Sequence, residues 1–385
     1  MFNVEKNRNK GRILNLLYKK KKLTKQTIAK ELDISIPTVI SNVNELIKDE
    51  LVEESGVADS TGGRKPVIIR FLKNSRYAFG VDINPEKARV VLTNLDLEIK
   101  YDEEFLIDNL KDFKSIMEEI SECVKRALKV ENIESEKILG IGFSLPGTVN
   151  EERLVLETAP NIGIKNVNFK EFESYFNMPI FIENEANAAA YAELSVGIVK
   201  EDRNLVYISI TSGVGTGIVV NGCLYKGKNK RAGEFGHMTI VPNGKKCKCG
   251  RNGCWELYVS EKALLNGFNE VSDKKVKNLS EFFKVLNSEE EGCKKYFNNY
   301  LDMLAVGIQN IRLTLDPHYI ILGGEISKYE KYYMKELKEK IFIEKSFYSK
   351  GDMKLLASKL KKDSAVIGAA LLPITAAFSI EEKII

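Results

Sequence analysis

The stretch that decides the fold of the N-terminal region is Thr24–Lys48, TKQTIAKELDISIPTVISNVNELIK. Thr24 and Ser35 each precede a run of periodic apolar residues, and short hydroxyl side chains at such positions cap the first turn of a helix. After Ser35 the apolar residues recur at helical spacing, which predicts a buried face. That face is expected to comprise Val39, Ile40, Val43, Leu46 and Ile47. Two capped helices joined by a short turn predict a helix-turn-helix.

The segments on either side complete a winged helix-turn-helix over residues 1–73. Apolar spacing in Arg8–Lys20 predicts an earlier helix, and Leu51–Glu54 and Val67–Phe71 have the composition of short strands. Between the strands, the turn-rich loop Gly56–Pro66 forms the wing. Residues 1–73 contain 15 Lys and Arg against 9 Asp and Glu, whereas the rest of the chain contains 43 against 45. A basic head on a near-neutral body indicates a polyanionic partner.

Double-stranded DNA is the expected partner of this head. The apolar pattern leaves short polar groups on the outer face of the third helix, where hydroxyls and amides can contact base edges in the major groove. Two basic residues of the wing would reach a phosphate or the minor groove. The expected DNA-contacting residues are Ser35, Pro37, Thr38, Ser41, Asn42, Arg64 and Lys65. The alternative is a small helical module that docks on another protein.

The composition of the whole chain is that of an ordinary globular protein. Its 385 residues are 44% hydrophobic and 29% charged, far from disordered or collagen-like compositions. The longest apolar stretch, Val366–Phe378, is interrupted by Pro373 and is shorter than a membrane-spanning helix. The first twelve residues, MFNVEKNRNKGR, lack the apolar core of a secretory signal. We therefore expect a cytoplasmic protein.

After Lys73 the sequence alternates between strand and helix patterns, which indicates an α/β fold. Tyr77–Asn84 and Ala88–Asp96 predict one strand pair, and Asn204–Thr211 and Gly215–Val220 predict another. Two halves that each begin with a hairpin indicate a duplicated α/β unit. A cleft between such halves would be the default site for a small ligand.

The strongest chemical signal lies in Gly236–Glu256, GHMTIVPNGKKCKCGRNGCWE. This segment supplies one imidazole and three thiols, a donor set that zinc takes in tetrahedral sites. The expected ligands are His237, Cys247, Cys249 and Cys254. Because the protein would fill all four positions, the zinc would be structural and would leave no place for a catalytic water. The alternative is a set of reduced cysteines in a surface loop.

Several motifs, in a shared order, resemble the ROK family of repressors, open reading frames and kinases. They are GGRKP (Gly62–Pro66), GIGFSLPG (Gly140–Gly147), APNIG (Ala159–Gly163), ENEANAAAYAE (Glu183–Glu193), GEFGH (Gly233–His237) and the cysteine loop. The resemblance covers essentially the whole chain and is strongest to the Bacillus-type xylose-responsive repressors. It implies a ROK sugar-binding domain at 74–385, built from two ribonuclease-H-like lobes of the actin/hexokinase type. Lobe one would span about 74–184 together with the C-terminal helix 364–385, and lobe two about 185–363.

The resemblance also implies a monosaccharide effector, with xylose favoured. Carboxylates and amides can bridge neighbouring sugar hydroxyls with paired hydrogen bonds. The positions that match the family's sugar contacts are Gly147, Asn161, Asn184, Glu185, Glu234, His237 and Glu256. His237 would bind zinc through one ring nitrogen and face the sugar with the other.

Two departures from the family's kinases argue against phosphoryl transfer. The kinases' Asp-x-Gly-Gly-Thr turn is here Asp82–Glu86, DINPE, in which Pro85 has no N–H and Glu86 adds negative charge. The position of the kinases' catalytic aspartate is Glu185, whose carboxylate is displaced by about 1 Å or more, a distance that can cost about 100-fold in rate. No catalytic residue is therefore expected.

Together these features predict a sugar-responsive repressor of xylose or other pentose utilisation genes. A homodimer would bind a palindromic operator and leave it when the sugar binds. The alternatives are an ATP-dependent ROK sugar kinase, a repressor controlled by a protein partner or another sugar, and an activator whose ligand strengthens operator binding.

Overall fold

The N-terminal domain is a winged helix-turn-helix. The structure, a computed structural model, describes residues 8–57, 66–107, 112–197, 199, 204–288, 291–343, 349 and 351–378. The elements of the domain are α1 (Arg8–Lys20), β1 (Lys22–Thr24), α2 (Lys25–Leu32), α3 (Ile36–Lys48), β2 (Val52–Val57) and β3 (Val67–Phe71). The strands form an antiparallel sheet in the order β1-β3-β2. The predicted winged helix is confirmed.

The two predicted N-caps determine where α2 and α3 begin. The Thr24 hydroxyl accepts a hydrogen bond of 3.1 Å from the Thr27 amide, and the Ser35 hydroxyl accepts one of 3.3 Å from the Thr38 amide. Asp33, which ends α2, has a φ of 51° in the left-handed region. Asp tolerates that conformation better than most residues do. The turn between the helices therefore follows from local sequence.

The buried face of α3 differs from the prediction at two positions. Val39 and Val43 are fully buried, but Ile40 is 41% exposed and Asn42 is only 5% exposed. Successive helical residues are separated by about 100°, so Asn42 lies about 60° from the direction of Val39, whereas Ile40 lies about 100° from it. Asn42 Nδ2 donates to the Thr38 carbonyl at 2.8 Å, and this bond satisfies part of the hydrogen-bonding capacity of the buried side-chain amide. The expectation of a buried Ile40 and an outward-facing Asn42 was wrong.

The first part of the body is built on a five-stranded sheet. Its elements are β4 (Tyr77–Ile83), β5 (Lys87–Asn94), β6 (Ile99–Leu106), α4 (Phe113–Glu131), β7 (Ile138–Leu145), β8 (Thr148–Asn150), β9 (Val155–Ala159), β10 (Ile164–Asn168), α5 (Glu173–Phe176) and β11 (Ile180–Asn184). The order is β11-β7-β4-β5-β6, with β4-β5-β6 antiparallel and β7 parallel to β4. Strands β8–β10 form a separate sheet. The core contains Phe79 and Phe143 of the large sheet and Ile120 of α4.

The second part repeats this arrangement. Its elements are α6 (Glu185–Ser195), β12 (Leu205–Ile210), β13 (Val214–Val220), β14 (Cys223–Leu224), α7 (Glu256–Val259), α8 (Glu261–Val271), α9 (Leu279–Asn287), α10 (Glu291–Leu315), β15 (Tyr319–Gly323), α11 (Met334–Ile341), β16 (Lys354–Ala357) and α12 (Ser364–Phe378). The strand order is β14-β13-β12-β15-β16. When the strands are numbered within each large sheet, both sheets have the order 3-2-1-4-5. The predicted duplication is confirmed, and it is the repeat expected of an actin/hexokinase-type fold.

Contacts divide the described residues into two compact units. One contains the residues up to Glu183 together with those from Ala369, and the other contains Asn184–Gly368. The winged helix belongs to the first unit, where the Leu72 amide donates to the Leu51 carbonyl at 3.0 Å. Within the part of the chain that is described, no helix has both the length and the apolar character needed to cross a membrane.

Candidate metal and ligand site

The cysteine loop is anchored by one buried tryptophan and shaped by one glycine. Trp255, next to Cys254, is fully buried and its Nε1 donates to the Met303 carbonyl of α10 at 2.9 Å. Gly253 has a φ of 72°, and a Cβ at this position would lie 1.8 Å from the Val241 carbonyl oxygen. Only glycine fits this turn, which reverses the chain just before the last cysteine of the loop.

The loop brings the four predicted metal ligands together. The donor atoms of His237, Cys247, Cys249 and Cys254 all lie within 4.8 Å of one another. The sulfurs of Cys249 and Cys254 are 3.6 Å apart, and Cys247 Sγ is 3.7 Å from His237 Nδ1. Tetrahedral bonds of about 2.3 Å to sulfur require the sulfurs to be roughly 3.8 Å apart. The donor set and its spacing therefore fit a four-coordinate metal ion.

The thiols of this cluster differ in how readily they ionise. Burial opposes ionisation of Cys249, but hydrogen bonds from the Arg251 backbone and from the neighbouring thiols outweigh it and lower the pKa of Cys249 to about 6. Burial raises the pKa of Cys247 to about 12. Because the thiolate is the form that binds metals, a cation would have to release the proton of Cys247 on binding.

Glu256, the first residue of α7, lies directly beside the metal cluster. Its Oε1 is 3.2 Å from His237 Nδ1 and 3.1 Å from Cys247 Sγ. Burial would raise the pKa of Glu256, but the hydrogen bonds from His237 and Cys247 outweigh it and lower the pKa. The other ring nitrogen of His237, Nε2, is 3.9 Å from Glu234 Oε2. Nδ1 of His237 thus lies on the side of Cys247 and Glu256, and Nε2 lies on the side of Glu234.

Glu185 and Glu256 lie at the same turn of the second sheet, the turn between β12 and β13. Ser209 Oγ donates to Glu185 Oε1 at 2.7 Å. A Cβ at Gly215 would be 3.6 Å from Glu185 Oε2, and a Cβ at Gly213 would be 3.3 Å from Glu256 Oε2. Two carboxylates and a glycine turn therefore form one polar site within the second unit.

Asn184 fixes the start of α6 next to this site. Its Oδ1 accepts hydrogen bonds of 3.0 Å and 3.2 Å from the amides of Ala186 and Asn187, which makes it the N-cap. The cap engages the oxygen of the side chain. By ending β11 and starting α6, Asn184 also sets the position of Glu185.

The remaining predicted sugar contacts, Gly147 and Asn161, belong to the first unit. Gly147 lies between β7 and β8 with a φ of 89°, and a Cβ there would lie 2.1 Å from the Thr158 carbonyl oxygen. Asn161 is exposed in the turn that follows β9. The second unit thus contains five of the predicted contacts: Asn184, Glu185, Glu234, His237 and Glu256.

The turn between β4 and β5 uses its own amides internally. Asn84 Oδ1 accepts hydrogen bonds from the Glu86 amide at 3.0 Å and the Lys87 amide at 3.1 Å. Pro85 has no amide hydrogen. A glycine turn binds phosphate through free backbone N–H groups, and this turn directs two of them to Asn84 instead.

The predicted DNA contacts lie mainly on α3, which we call the recognition helix. Pro37 and Ser41 are exposed and Thr38 is half-buried. The hydroxyls of Ser35 and Thr38 are 2.8 Å apart, so both belong to the helix cap. Asn42 faces the interior of the domain, as described above, and is not placed to meet DNA. The wing residues Arg64 and Lys65 lie outside the described residues.

Three residues of the site were given no role in it from the sequence, although Gly213 was expected in a tight turn. They are Ser209, which positions Glu185, Gly213, which faces Glu256, and Trp255, which anchors the cysteine loop. A usable signal did exist for Gly213, since a glycine-rich turn directly after a buried strand is a common place for a ligand to approach backbone.

Fold and site together define a class of protein: a winged helix ahead of a duplicated actin/hexokinase-type body, with a Cys/His loop that could hold a metal beside paired carboxylates. The chain belongs to the ROK family, whose profile matches residues 78–376, and a profile for winged helix-turn-helix DNA-binding domains matches residues 6–53. The chain is 32% identical over 366 residues to the xylose repressor of Bacillus spizizenii, and this match covers 94% of this chain and 93% of the relative.

Two solved structures share the fold. One is a ROK family transcriptional regulator, a homolog of the Escherichia coli MLC protein, with a TM-score of 0.83, 22% identity and coverage of 97% of this chain and 96% of the other. The second is a ROK family glucokinase from Streptomyces griseus in complex with glucose and AMPPNP. It has a TM-score of 0.66 and 24% identity, and the match covers 77% of this chain and 98% of the kinase.

Proposed function

We propose that this protein is a sugar-responsive transcriptional repressor that binds operator DNA through its winged helix and is released by a monosaccharide. The observation that carries the proposal is the polar site of Glu185, Glu256 and His237 in a chain that begins with a DNA-binding winged helix. The similarity to a xylose repressor favours xylose as the effector and pentose utilisation genes as the target. A role on DNA also favours the cytoplasmic location expected from the sequence.

The polar site offers the groups that a sugar requires. Sugar hydroxyls can donate to carboxylates and accept from an imidazole or amide N–H. Glu185 is held by Ser209, so its carboxylate is ordered before a ligand arrives, and Glu256 would be fixed by the cysteine loop at whose end it stands. Ordered side chains lose little conformational entropy on binding, which favours affinity. The further proposed sugar contacts are Gly147, Asn161, Asn184 and Glu234.

Zinc is the metal that we propose for the cysteine loop. His237, Cys247, Cys249 and Cys254 would hold it, and bound zinc would supply positive charge that keeps the thiols ionised. All four donors come from the protein, so the role is structural. The loop carries His237 and ends at Glu256, and a rigid loop would therefore hold both side chains in place for the sugar.

Phosphoryl transfer from ATP is the alternative, because kinases such as the Streptomyces griseus glucokinase share the fold. Two features of this chain oppose it. In the β4–β5 turn the amides of Glu86 and Lys87 donate hydrogen bonds to the Asn84 side chain, where the kinases would use such amides to bind phosphate. At the position of the kinases' catalytic aspartate, this chain has Glu185. We therefore propose a sensor without catalytic turnover.

A homodimer would explain how the winged helix recognises an operator. Two recognition helices related by a two-fold axis would enter successive major grooves of a palindromic site, about one helical turn apart. A sugar can release the dimer only by binding the released state more tightly than the bound state. Moving from almost fully bound to almost fully released requires about 5.5 kcal/mol of differential binding, which two sugar sites in one dimer would share.

The test combines DNA binding, thermal unfolding and ATP turnover on one preparation of the full chain. An operator is first isolated from random duplexes by its affinity for the protein. Xylose, glucose and other monosaccharides are then added, and we expect one pentose to raise the unfolding temperature and to release the operator. Sugar-dependent ATP consumption would favour the kinase instead. Operator binding that no sugar alters would leave control to a protein partner, and tighter binding would indicate an activator.

A further inference from the structure

The recognition helix carries two isoleucines that are partly exposed at the surface of its domain. Ile36 is 40% exposed and Ile40 is 41% exposed, and the two are one helical turn apart. Residues i and i+4 lie on the same side of a helix, so the two side chains form a single apolar ridge. Pro37 and Ser41 are exposed beside them.

The ridge lies where a recognition helix meets base edges. Ile36 is the first residue of α3 and Ile40 follows one turn later, and it is the N-terminal residues of such helices that contact the major groove. An isoleucine side chain can neither donate nor accept a hydrogen bond. The complementary group that the major groove offers to an apolar side chain is the C5-methyl group of thymine.

The net charge of the N-terminal domain favours DNA over a protein as the occupant of the ridge. Residues 1–73 carry 15 Lys and Arg against 9 Asp and Glu. Such cations attract the phosphate backbone whatever the base sequence. Phosphate attraction positions the helix, and the groups at its N-terminal end then select the bases.

We propose that Ile36 and Ile40 are specificity-determining residues that contact thymine methyl groups in each half of the operator. This inference rests on the proposed DNA-binding function and adds which bases the recognition helix prefers. The ridge favours an A·T pair where each isoleucine meets the groove. The polar Ser41 beside it supplies a hydrogen bond that many bases could satisfy.

The first experiment selects binding sites from a random duplex library with the full-length wild-type protein and with Ile36→Ala, Ile40→Ala and Ile40→Val. Val130→Ala, which removes an exposed apolar side chain from α4, is the matched control. We expect sites selected by the wild type and the control to contain a fixed thymine in each half. Ile40→Ala should relax the choice at one such position and leave the others unchanged, and Ile40→Val should retain most of it.

The second experiment replaces the fixed thymine by deoxyuridine, which lacks only the methyl group. Wild-type affinity should fall about fourfold per methyl removed, the effect of losing one buried methyl-sized contact. Ile40→Ala should bind both duplexes equally, because its partner group is already absent. Thermal unfolding of each variant checks that the domain is intact.

Two outcomes overturn the inference while leaving DNA binding in place. One is a selected site with no fixed thymine, and the other is an equal loss on deoxyuridine for wild type and Ile40→Ala. A change in oligomeric state with unchanged base preference would assign the ridge to a protein contact and also overturn it. If the wild type selects no sequence at all, the proposed function itself fails.

Discussion

Arg76 Nη2 donates a hydrogen bond of 2.9 Å to the main-chain carbonyl of Asp49, the residue that ends the recognition helix. Arg76 is 8% exposed and immediately precedes β4, the middle strand of the first sheet. At the other end of β4, Ser144 Oγ donates at 2.7 Å to Asp82, a carboxyl whose pKa is raised by burial. The recognition helix, which we propose faces DNA, is thus hydrogen-bonded to the residue that precedes the middle strand of the first sheet.

Arg76→Ala should lower the free energy of unfolding by about 1–3 kcal/mol, because it leaves the Asp49 carbonyl without this buried donor. Urea unfolding of the full chain measures the change. Arg70→Ala is the control, since Arg70 pairs with Glu53 at the surface, where ion pairs contribute little. Similar losses in the free energy of unfolding for both variants would show that the Arg76 hydrogen bond stabilises the fold no more than a surface ion pair does.

Cys249→Ser should reduce bound zinc and lower the unfolding temperature, since one of four metal donors is lost. Metal analysis and thermal unfolding of the purified chain test both effects, and a chelator should reproduce them in the wild type. Cys223→Ser, a cysteine outside the loop, should keep the metal. A wild-type protein that carries no metal and ignores the chelator would contradict the proposal.

Glu185→Gln and Glu256→Gln should each weaken sugar binding by about 10- to 150-fold. Hydrogen bonds to charged groups contribute about 1.5–3 kcal/mol, and the amide replaces that charge. Calorimetry with the effector sugar measures the loss, and operator affinity without sugar should stay at the wild-type value. Glu270→Gln, an exposed carboxylate on α8, is the control. Unchanged sugar affinity in both site variants would place the ligand elsewhere.

Ser41 and Asn42 are adjacent in the sequence, but replacing each by alanine should affect a different property. Ser41→Ala should change DNA binding, and Asn42→Ala should change stability. Ser41 is exposed, so its loss should weaken binding to the operator more than binding to unrelated DNA, with unfolding unchanged. Asn42 is buried and bonded to the Thr38 carbonyl, so its loss should lower the free energy of unfolding by about 1 kcal/mol. Anisotropy titrations and urea unfolding separate the two, and a reversal of this pattern would mean that the helix faces the other way.

Features that depend on neighbouring residues could be predicted from the sequence. The Ser35 cap involves an amide three residues away, and the four candidate metal donors lie within one stretch of eighteen residues, 237–254. Ile40 and Asn42 were misplaced because apolar spacing fixes a helical stripe only approximately, and the packing of α3 against α1 and α2 decides its edges. Strand β6, IKYDEEFL, was missed because three consecutive acidic residues, Asp102–Glu104, interrupt its alternating apolar pattern.

The candidate site depends on contacts between distant parts of the chain. Glu185 meets Ser209 only because α6 packs on β12, and Glu256 meets Gly213 only because the cysteine loop returns to the β12–β13 turn. Local sequence patterns do not reveal which residues distant in the sequence come into contact. Without the family motifs, these glutamates would look like ordinary surface charges.

Trp255 is the only tryptophan of the chain, and it stands between Cys254 of the metal cluster and Glu256 of the polar site. Its indole is buried and held to Met303 of α10. The tryptophan fluorescence of the unlabelled protein therefore comes from one residue at the junction of the two. We expect occupancy of either to change that emission, which can be followed without attaching a dye to the molecule.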